Sequence, residues 1–102
     1  MTSPSQLTVS KIETTLHAHQ AELRRLGVAS LAVFGSVGRG EATDASDIDF
    51  LVDFTGSATL TRYMDLKLLL ETIFERKIDL VTRKALRSRL QPVIEKDAVR
   101  VA

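Results

Sequence analysis

The fold is decided by the stretch SLAVFGSVGRGEATDASDIDFLVDF, which spans residues 30–54. It opens with four successive apolar residues, 31–34, which include the β-branched Val33 and are followed by three glycines within residues 35–40. So short an apolar run, closed by glycine, predicts a buried strand over residues 29–34 rather than a helix. The glycine-rich segment after it predicts a turn that leads into a polar loop.

The end of the same stretch, DIDFLVDF at residues 47–54, predicts a second strand. Side chains two residues apart lie on the same face of a strand. This strand therefore has one apolar face and one face that begins with two carboxylates. The apolar face consists of Ile48, Phe50, Val52 and Phe54. The other face consists of Asp47, Asp49, Leu51 and Asp53.

Segments with helical spacing flank these two strands. Ser10, with Glu13 three residues later, predicts a capping box at the start of a helix that ends at Gly27. Residues 60–74 predict a second helix, and residues 84–97 a third. The second helix has a broad apolar face that includes Leu60, Met64, Leu68 and Ile73.

Two more strands complete the prediction. KIDLVT at residues 77–82 predicts a third strand, and residues 99–101 a short edge strand. The first two strands are expected to be antiparallel, because about eleven residues join them and a parallel crossover usually needs a dozen or more. The predicted fold class is α/β (α+β), a small mixed sheet with helices mainly on one face. We expect a single domain over residues 1–102, with residues 1–7 flexible.

Composition excludes several classes of protein. The formal net charge is +1, so phosphate would have to be bound by a local site rather than by bulk charge, and no stable binding to nucleic acid is expected. The chain has no cysteine, which excludes disulfide frameworks, thiolate zinc sites and cysteine nucleophiles. No apolar run approaches the roughly 20 residues that span a bilayer, and no signal peptide is recognisable. We therefore expect a cytoplasmic protein without membrane partners.

Three carboxylates at strand positions are the main candidates for chemistry. Asp47 and Asp49 share a face at the start of the second strand, and Asp79 can join them if the third strand lies beside the second. Carboxylate oxygens at this density suit Mg²⁺, which completes its coordination shell with water and substrate phosphate. The alternative interpretation is that all three are ordinary exposed strand residues.

The turn GSVGRG at residues 35–40 is the second candidate. Its backbone N–H groups and the Ser36 hydroxyl could donate to phosphate oxygens, and Arg39 could add a cationic donor. It is neither a Walker A loop nor GxGxxG. Taken alone, it could equally be a structural turn.

Taken together, these segments resemble a known family. GS-x-x-RG at residues 35–40, SDIDFLV at 46–52 and KIDLV at 77–81 are similar to the motifs of the minimal nucleotidyltransferase (MNT) domain, a member of the DNA polymerase β nucleotidyltransferase superfamily. The resemblance covers nearly the whole chain and implies a polymerase β-like nucleotidyltransferase fold. Val37 and Gly38 depart from the aromatic residue and alanine that often stand there, but no metal ligand of the family is missing.

The resemblance implies roles for individual residues. Asp47 and Asp49 would bind two Mg²⁺ ions, and Asp79 would bind the catalytic ion and help activate the incoming hydroxyl. In the turn, Gly35 and Ser36 would hold the β- and γ-phosphates of the nucleotide. The nucleotide-binding motif is completed by Arg39, which would contact phosphate or stabilise the loop, and Gly40.

The resemblance also implies a biological role. Stand-alone MNT proteins are commonly antitoxins that transfer AMP from ATP to a tyrosine hydroxyl of a partner HEPN-domain ribonuclease toxin. We therefore expect ATP as substrate, a HEPN toxin as partner and a hetero-oligomer. Two alternatives remain open: a non-catalytic module that masks its partner sterically, and an adenylyltransferase that acts on a small molecule.

Five other positions carry expectations that do not concern the three candidate carboxylates or the turn. Asp53 is expected to be an exposed strand residue, too far along the strand from Asp49 to share its site. We expect Tyr63, the only tyrosine, to serve in packing. Arg83 belongs to a short basic cluster that is expected to be a solvated helix face. His17 and His19 do not share a helical face, so a metal site there is not expected.

Overall fold

The computed structural model describes residues 8–35, 47–83 and 98–102. None of the helices in these ranges combines the length and the apolar character that crossing a membrane requires. The elements, in chain order, are α1 (Val9–Ala18), α2 (Gln20–Arg25), β1 (Val28–Phe34), β2 (Ile48–Phe54), α3 (Leu60–Phe74), β3 (Ile78–Thr82) and β4 (Val99–Arg100). The predicted helix at 84–97 and the segment 1–7 lie outside the described residues.

The strands form a mixed four-stranded sheet in the order β3-β2-β1-β4. β1 pairs antiparallel with β2, as predicted, and also antiparallel with β4. β2 pairs parallel with β3, a connection that needs a crossover, and α3 supplies it. The third strand therefore lies beside the second, which was the condition for Asp79 to join the other carboxylates.

The main core lies between one face of the sheet and all three described helices. Apolar side chains of α1, α2 and α3 pack there against alternating residues of the strands, so the prediction of helices on one face is confirmed for these three. The rings of Phe50 and Phe74 extend this contact, with centroids 5.9 Å apart. Its buried members are Ile12, Leu16, Leu23, Leu31, Val33, Ile48, Phe50, Val52, Leu66, Leu70, Ile78, Leu80 and Val101.

The opposite face of the sheet has a small apolar cluster of its own. Ala32, Phe34 and Leu51 are buried there, and Val81 and Ala98 pack against them. By strand alternation, this is also the face to which Asp49 and Asp79 belong. We call it the carboxylate face.

The helix α3 has the predicted bounds, and its broad apolar face is divided between the core and the outer side. It begins after Thr59, whose hydroxyl accepts from the Arg62 N–H at 3.2 Å. Leu66 and Leu70 are fully buried on the core side, whereas three apolar residues spaced four apart lie on the outer side. These are Leu60, Met64 and Leu68, with 76%, 43% and 57% of their surfaces exposed.

The first helix also differs from the prediction. Its N-cap is Thr8 rather than Ser10, because the Thr8 hydroxyl accepts from the Lys11 N–H at 3.2 Å. The helix is interrupted at His19, whose N–H bonds to the Leu16 carbonyl at 3.0 Å and closes a tight turn. The single predicted helix is therefore two short ones.

Candidate active site

The strand register makes Asp49 and Asp79 direct neighbours. In the parallel pairing of β2 with β3, Asp49 lies opposite Asp79. Adjacent strands are about 4.8 Å apart, so the two Cα atoms are close and both side chains leave the same face. Asp79 is exposed, Asp49 is half-buried, and Asp47 is exposed just before β2 begins. All three therefore lie at one end of the carboxylate face.

Gly35 adjoins this group from the other neighbouring strand. In the antiparallel pairing of β1 with β2, Phe34 lies opposite Asp49, so the chain leaves β1 beside that carboxylate. Gly35 has a φ of +66°, and a Cβ atom there would overlap Asp49 Oδ2 and lie 3.1 Å from its Cγ. Only glycine meets both requirements, the left-handed backbone and the close approach of the carboxylate.

The three carboxylates share a location without forming a closed ion site. Within the described ranges, no three carboxylate or imidazole groups are close enough together to form a ready-made metal site. Asp47 is about 7 Å along the strand from Asp49 at the usual rise of a strand. The donor set nevertheless fits Mg²⁺ chemically, because it consists of carboxylate oxygens, two of the three groups are exposed, and neighbouring anions favour a cation between them.

Three predicted nucleotide-binding residues cannot be compared with the structure. Ser36, Arg39 and Gly40 lie outside the described residues. Of that predicted set, Gly35 is described, and its contact is with Asp49.

An ion pair on the carboxylate face was not predicted. Arg83 Nε donates to Asp53 Oδ2 at 2.7 Å, with both side chains partly exposed. Asp53 is therefore paired rather than simply exposed, and Arg83 contacts the sheet. The sequence contained a signal for this pair. Asp53 follows Asp49 by four residues, and Arg83 follows Asp79 by four residues. Strands that place Asp79 opposite Asp49 therefore also bring Arg83 close to Asp53.

Tyr63 also has a more specific role than packing. Its hydroxyl donates to the Leu80 carbonyl at 2.6 Å, which joins α3 to the strand that carries Asp79. Nothing in the helical spacing predicts this bond, because it depends on how α3 lies across the sheet.

A cavity of about 490 Å³ lies away from the carboxylates. It is bordered by residues of α1 and α2, by Val28 and Ala29 at the start of β1, and by residues 100–102. Val28 is at the opposite end of β1 from Gly35, so this cavity is separate from the candidate site.

Most of the chain matches a known protein family. Residues 16–101 match the family described as the nucleotidyltransferase domain. The chain belongs to the nucleotidyltransferase domain family. This match spans all three carboxylates and the glycine-rich turn, and it confirms the prediction of a nucleotidyltransferase. A protein of Thermococcus cleftensis named protein adenylyltransferase MntA is 40% identical over 95% of this chain and 99% of its own length.

Solved structures agree with the fold of this nucleotidyltransferase. One described as a minimal nucleotidyltransferase has a TM-score of 0.75 and 33% identity, over 91% of this chain and 95% of that chain. A toxin–antitoxin structure, MntA–HpeT, contains a chain with a TM-score of 0.61 and 19% identity, over 94% of this chain and 73% of that chain. At that lower identity the likeness concerns the fold alone.

Proposed function

We propose that this nucleotidyltransferase is an antitoxin that transfers AMP from ATP to a tyrosine hydroxyl of a partner HEPN-domain ribonuclease toxin, in the cytoplasm. The observation that carries the proposal is the register of Asp49 with Asp79 beside Gly35, in a chain that belongs to the nucleotidyltransferase domain family. The protein substrate is supported by the name of the T. cleftensis relative, protein adenylyltransferase MntA.

The reaction joins the acceptor hydroxyl to the α-phosphate of ATP, and the carboxylate face could hold these two groups side by side. The acceptor oxygen forms a bond to the α-phosphorus of ATP, the bond from that phosphorus to the bridging oxygen breaks, and pyrophosphate leaves. Asp79 is suited to accept the hydroxyl proton, directly or through water, because it is exposed. Most of the rate increase would come from alignment of the two groups and from neutralisation of phosphate charge.

Asp47, Asp49 and Asp79 would hold two Mg²⁺ ions, and Gly35, Ser36, Arg39 and Gly40 would form the nucleotide-binding turn. When bound, Mg²⁺ polarises the phosphoryl group, lowers the pKa of the attacking hydroxyl and stabilises the leaving pyrophosphate. The contact of Gly35 with Asp49 brings the first residue of this turn beside one of the carboxylates. Phosphates held by the turn would therefore lie next to the metal ligands.

The toxin partner is supported by the name MntA, which the T. cleftensis relative shares with the toxin–antitoxin structure of the same fold. A protein acceptor brings its own binding surface, which suits a small catalytic domain. We therefore expect a hetero-oligomer of this chain with its toxin.

The test is intact mass spectrometry of the protein encoded beside this chain, after incubation with the chain and Mg-ATP. We expect the toxin mass to rise in whole AMP units, with tryptic mapping that locates AMP on a tyrosine. The control is the Asp47→Ala/Asp49→Ala double variant, which should add no AMP. Ribonuclease activity of the toxin should fall in parallel with the gain in mass.

Other outcomes would identify the alternatives. A stable complex that inhibits the toxin without any mass gain would identify a module that masks its partner. AMP added to a small hydroxyl compound in the absence of any protein would identify a small-molecule adenylyltransferase. Neutralisation that survives in the double variant would contradict the catalytic proposal.

A further inference from the structure

We infer that Tyr63 is a positioning residue for Asp79, because its hydroxyl holds the edge strand β3 against the sheet and so keeps Asp79 beside Asp49. The inference rests on the proposed function in so far as Asp79 serves the reaction. It assigns a task in that reaction to a side chain on the opposite side of the sheet from the carboxylates.

The first observation is the bond itself. Tyr63 is half-buried, and its hydroxyl donates to the Leu80 carbonyl at 2.6 Å. That carbonyl belongs to the residue directly after Asp79, so the bond acts on the backbone that carries the carboxylate. The distance lies within the usual range for a hydroxyl donor and an oxygen acceptor.

The second observation is that Tyr63 has a rigid support. It lies on α3, whose next turns bury Leu66 and Leu70 completely in the core. Thr59 caps the helix one turn before Tyr63, and its carbonyl accepts from the Tyr63 N–H at 3.0 Å. The tyrosine therefore connects β3 to an element that is itself firmly packed.

The third observation is that β3 needs such a connection. It is five residues long and lies at the end of the strand order, where its described strand partner is β2. Its Asp79 lies opposite Asp49, and like charges at facing positions destabilise strand pairing. The ion pair of Asp53 with Arg83 connects the far end of β3 to β2. The Tyr63 hydroxyl instead contacts β3 at the residue next to Asp79.

Tyr63 lies on the wrong side of the sheet to take part in the reaction directly. Tyr63 reaches β3 from the helical side and packs against the main core, whereas Asp49 and Asp79 belong to the opposite face. Its influence on the reaction must therefore pass through the placement of β3. A change in metal affinity with little change in turnover is the expected signature.

The test compares Tyr63→Phe with Thr72→Val. Each substitution removes one hydroxyl from α3, and the Thr72 hydroxyl donates only within the helix in the described bonds, to the Leu68 carbonyl at 2.8 Å. In metal-free protein, amide hydrogen exchange of residues 78–82 should become about two- to tenfold faster in Tyr63→Phe, the size expected for one hydrogen bond. Exchange in β1 should stay unchanged in that variant, and exchange in β3 should stay unchanged in Thr72→Val.

Metal binding supplies the readout that a purely structural role would not move. Mn²⁺ titrated alone and followed by electron paramagnetic resonance should bind about two- to tenfold more weakly to Tyr63→Phe. The Mg²⁺ concentration for half-maximal AMP transfer should rise by a similar factor. At saturating Mg²⁺, kcat should stay within about twofold of the wild type, because binding of the ion by Asp79 would favour the same placement of β3 that the Tyr63 hydroxyl favours.

Three results would overturn the inference. The first is unchanged exchange in β3, and the second is equal acceleration in β1 and β3, which would make Tyr63 a contributor to global stability only. The third is faster exchange in β3 with unchanged Mn²⁺ binding. If the wild type transfers no AMP at all, the proposed function fails, while hydrogen exchange and Mn²⁺ binding still decide the role of Tyr63.

Discussion

At the scale of single residues, the contact between Gly35 and Asp49 links the two halves of the candidate site. The φ of +66° at Gly35 turns the chain out of β1, and the missing Cβ leaves room for the Asp49 carboxylate. Gly56 provides a natural comparison, because it has a φ of +76° but no heavy atom within 4 Å of where a Cβ would stand. Replacing each by alanine separates backbone strain from contact with the carboxylate.

We expect Gly35→Ala to lose roughly tenfold or more of its AMP-transfer rate, because the new methyl group displaces a carboxylate that must be accurately placed. Gly56→Ala should keep its rate. Both should lose about 1 kcal/mol or more of unfolding free energy to the left-handed conformation. Initial rates and urea unfolding measure the two effects, and equal loss of rate in both variants would contradict this interpretation of Gly35.

The facing carboxylates predict opposite effects on activity and stability. In the Asp47→Asn/Asp49→Asn double variant, AMP transfer should fall by at least about a hundredfold, because metal-ion catalysis contributes several kcal/mol. The free energy of unfolding should stay level or rise, since the variant relieves repulsion between Asp49 and Asp79. Asp65→Asn, on an exposed position of α3, is the control and should change neither quantity. A large loss of stability in the double variant would mean that these carboxylates support the fold.

At the scale of elements, α3 shows what spacing can and cannot predict. Its bounds followed from apolar periodicity, and the structure adds that Thr59 caps its start. The side of α3 that faces the core could not be predicted in this way, because apolar residues occur around most of the helix and no polar face marks the side towards water. Contact with the sheet selects Leu66 and Leu70 and leaves Leu60, Met64 and Leu68 outside.

Replacing leucine by alanine at two positions of α3 on different sides of the helix should therefore change the free energy of unfolding by different amounts. Leu66→Ala should cost about 2–5 kcal/mol of unfolding free energy, because Leu66 is fully buried and its loss leaves a cavity. Leu68→Ala should cost less than about 1 kcal/mol, because 57% of Leu68 is exposed. Urea unfolding of the purified variants gives both values, and similar costs would show that the outer side of α3 is covered in solution.

At the scale of the whole molecule, the main core and the candidate site lie on opposite faces of the sheet. The main core fills the space between the sheet and the three described helices, whereas Asp49 and Asp79 belong to the other face. The core therefore does not depend on the charges at the candidate site.

This separation predicts that metal removal abolishes activity without unfolding the protein. With EDTA in excess, AMP transfer should disappear, while the far-UV circular dichroism spectrum and the midpoint of thermal unfolding stay within about 2 °C of the untreated protein. Added Mg²⁺ should restore the reaction. Loss of the circular dichroism signal with EDTA would instead make the metal part of the fold.

The strands, α3 and the apolar face of β2 could all be predicted from the chain itself, because period and glycine position act over a few residues. The carboxylate pair could be predicted only as a condition, since Asp79 meets Asp49 only if β3 lies beside β2 in that register. The pair of Asp53 with Arg83, the bond from Tyr63 to Leu80 and the contact of Gly35 with Asp49 join residues that are distant along the chain. Such contacts arise from strand order and from the packing of α3 across the sheet, where the burial of apolar side chains selects one arrangement among those that local spacing allows.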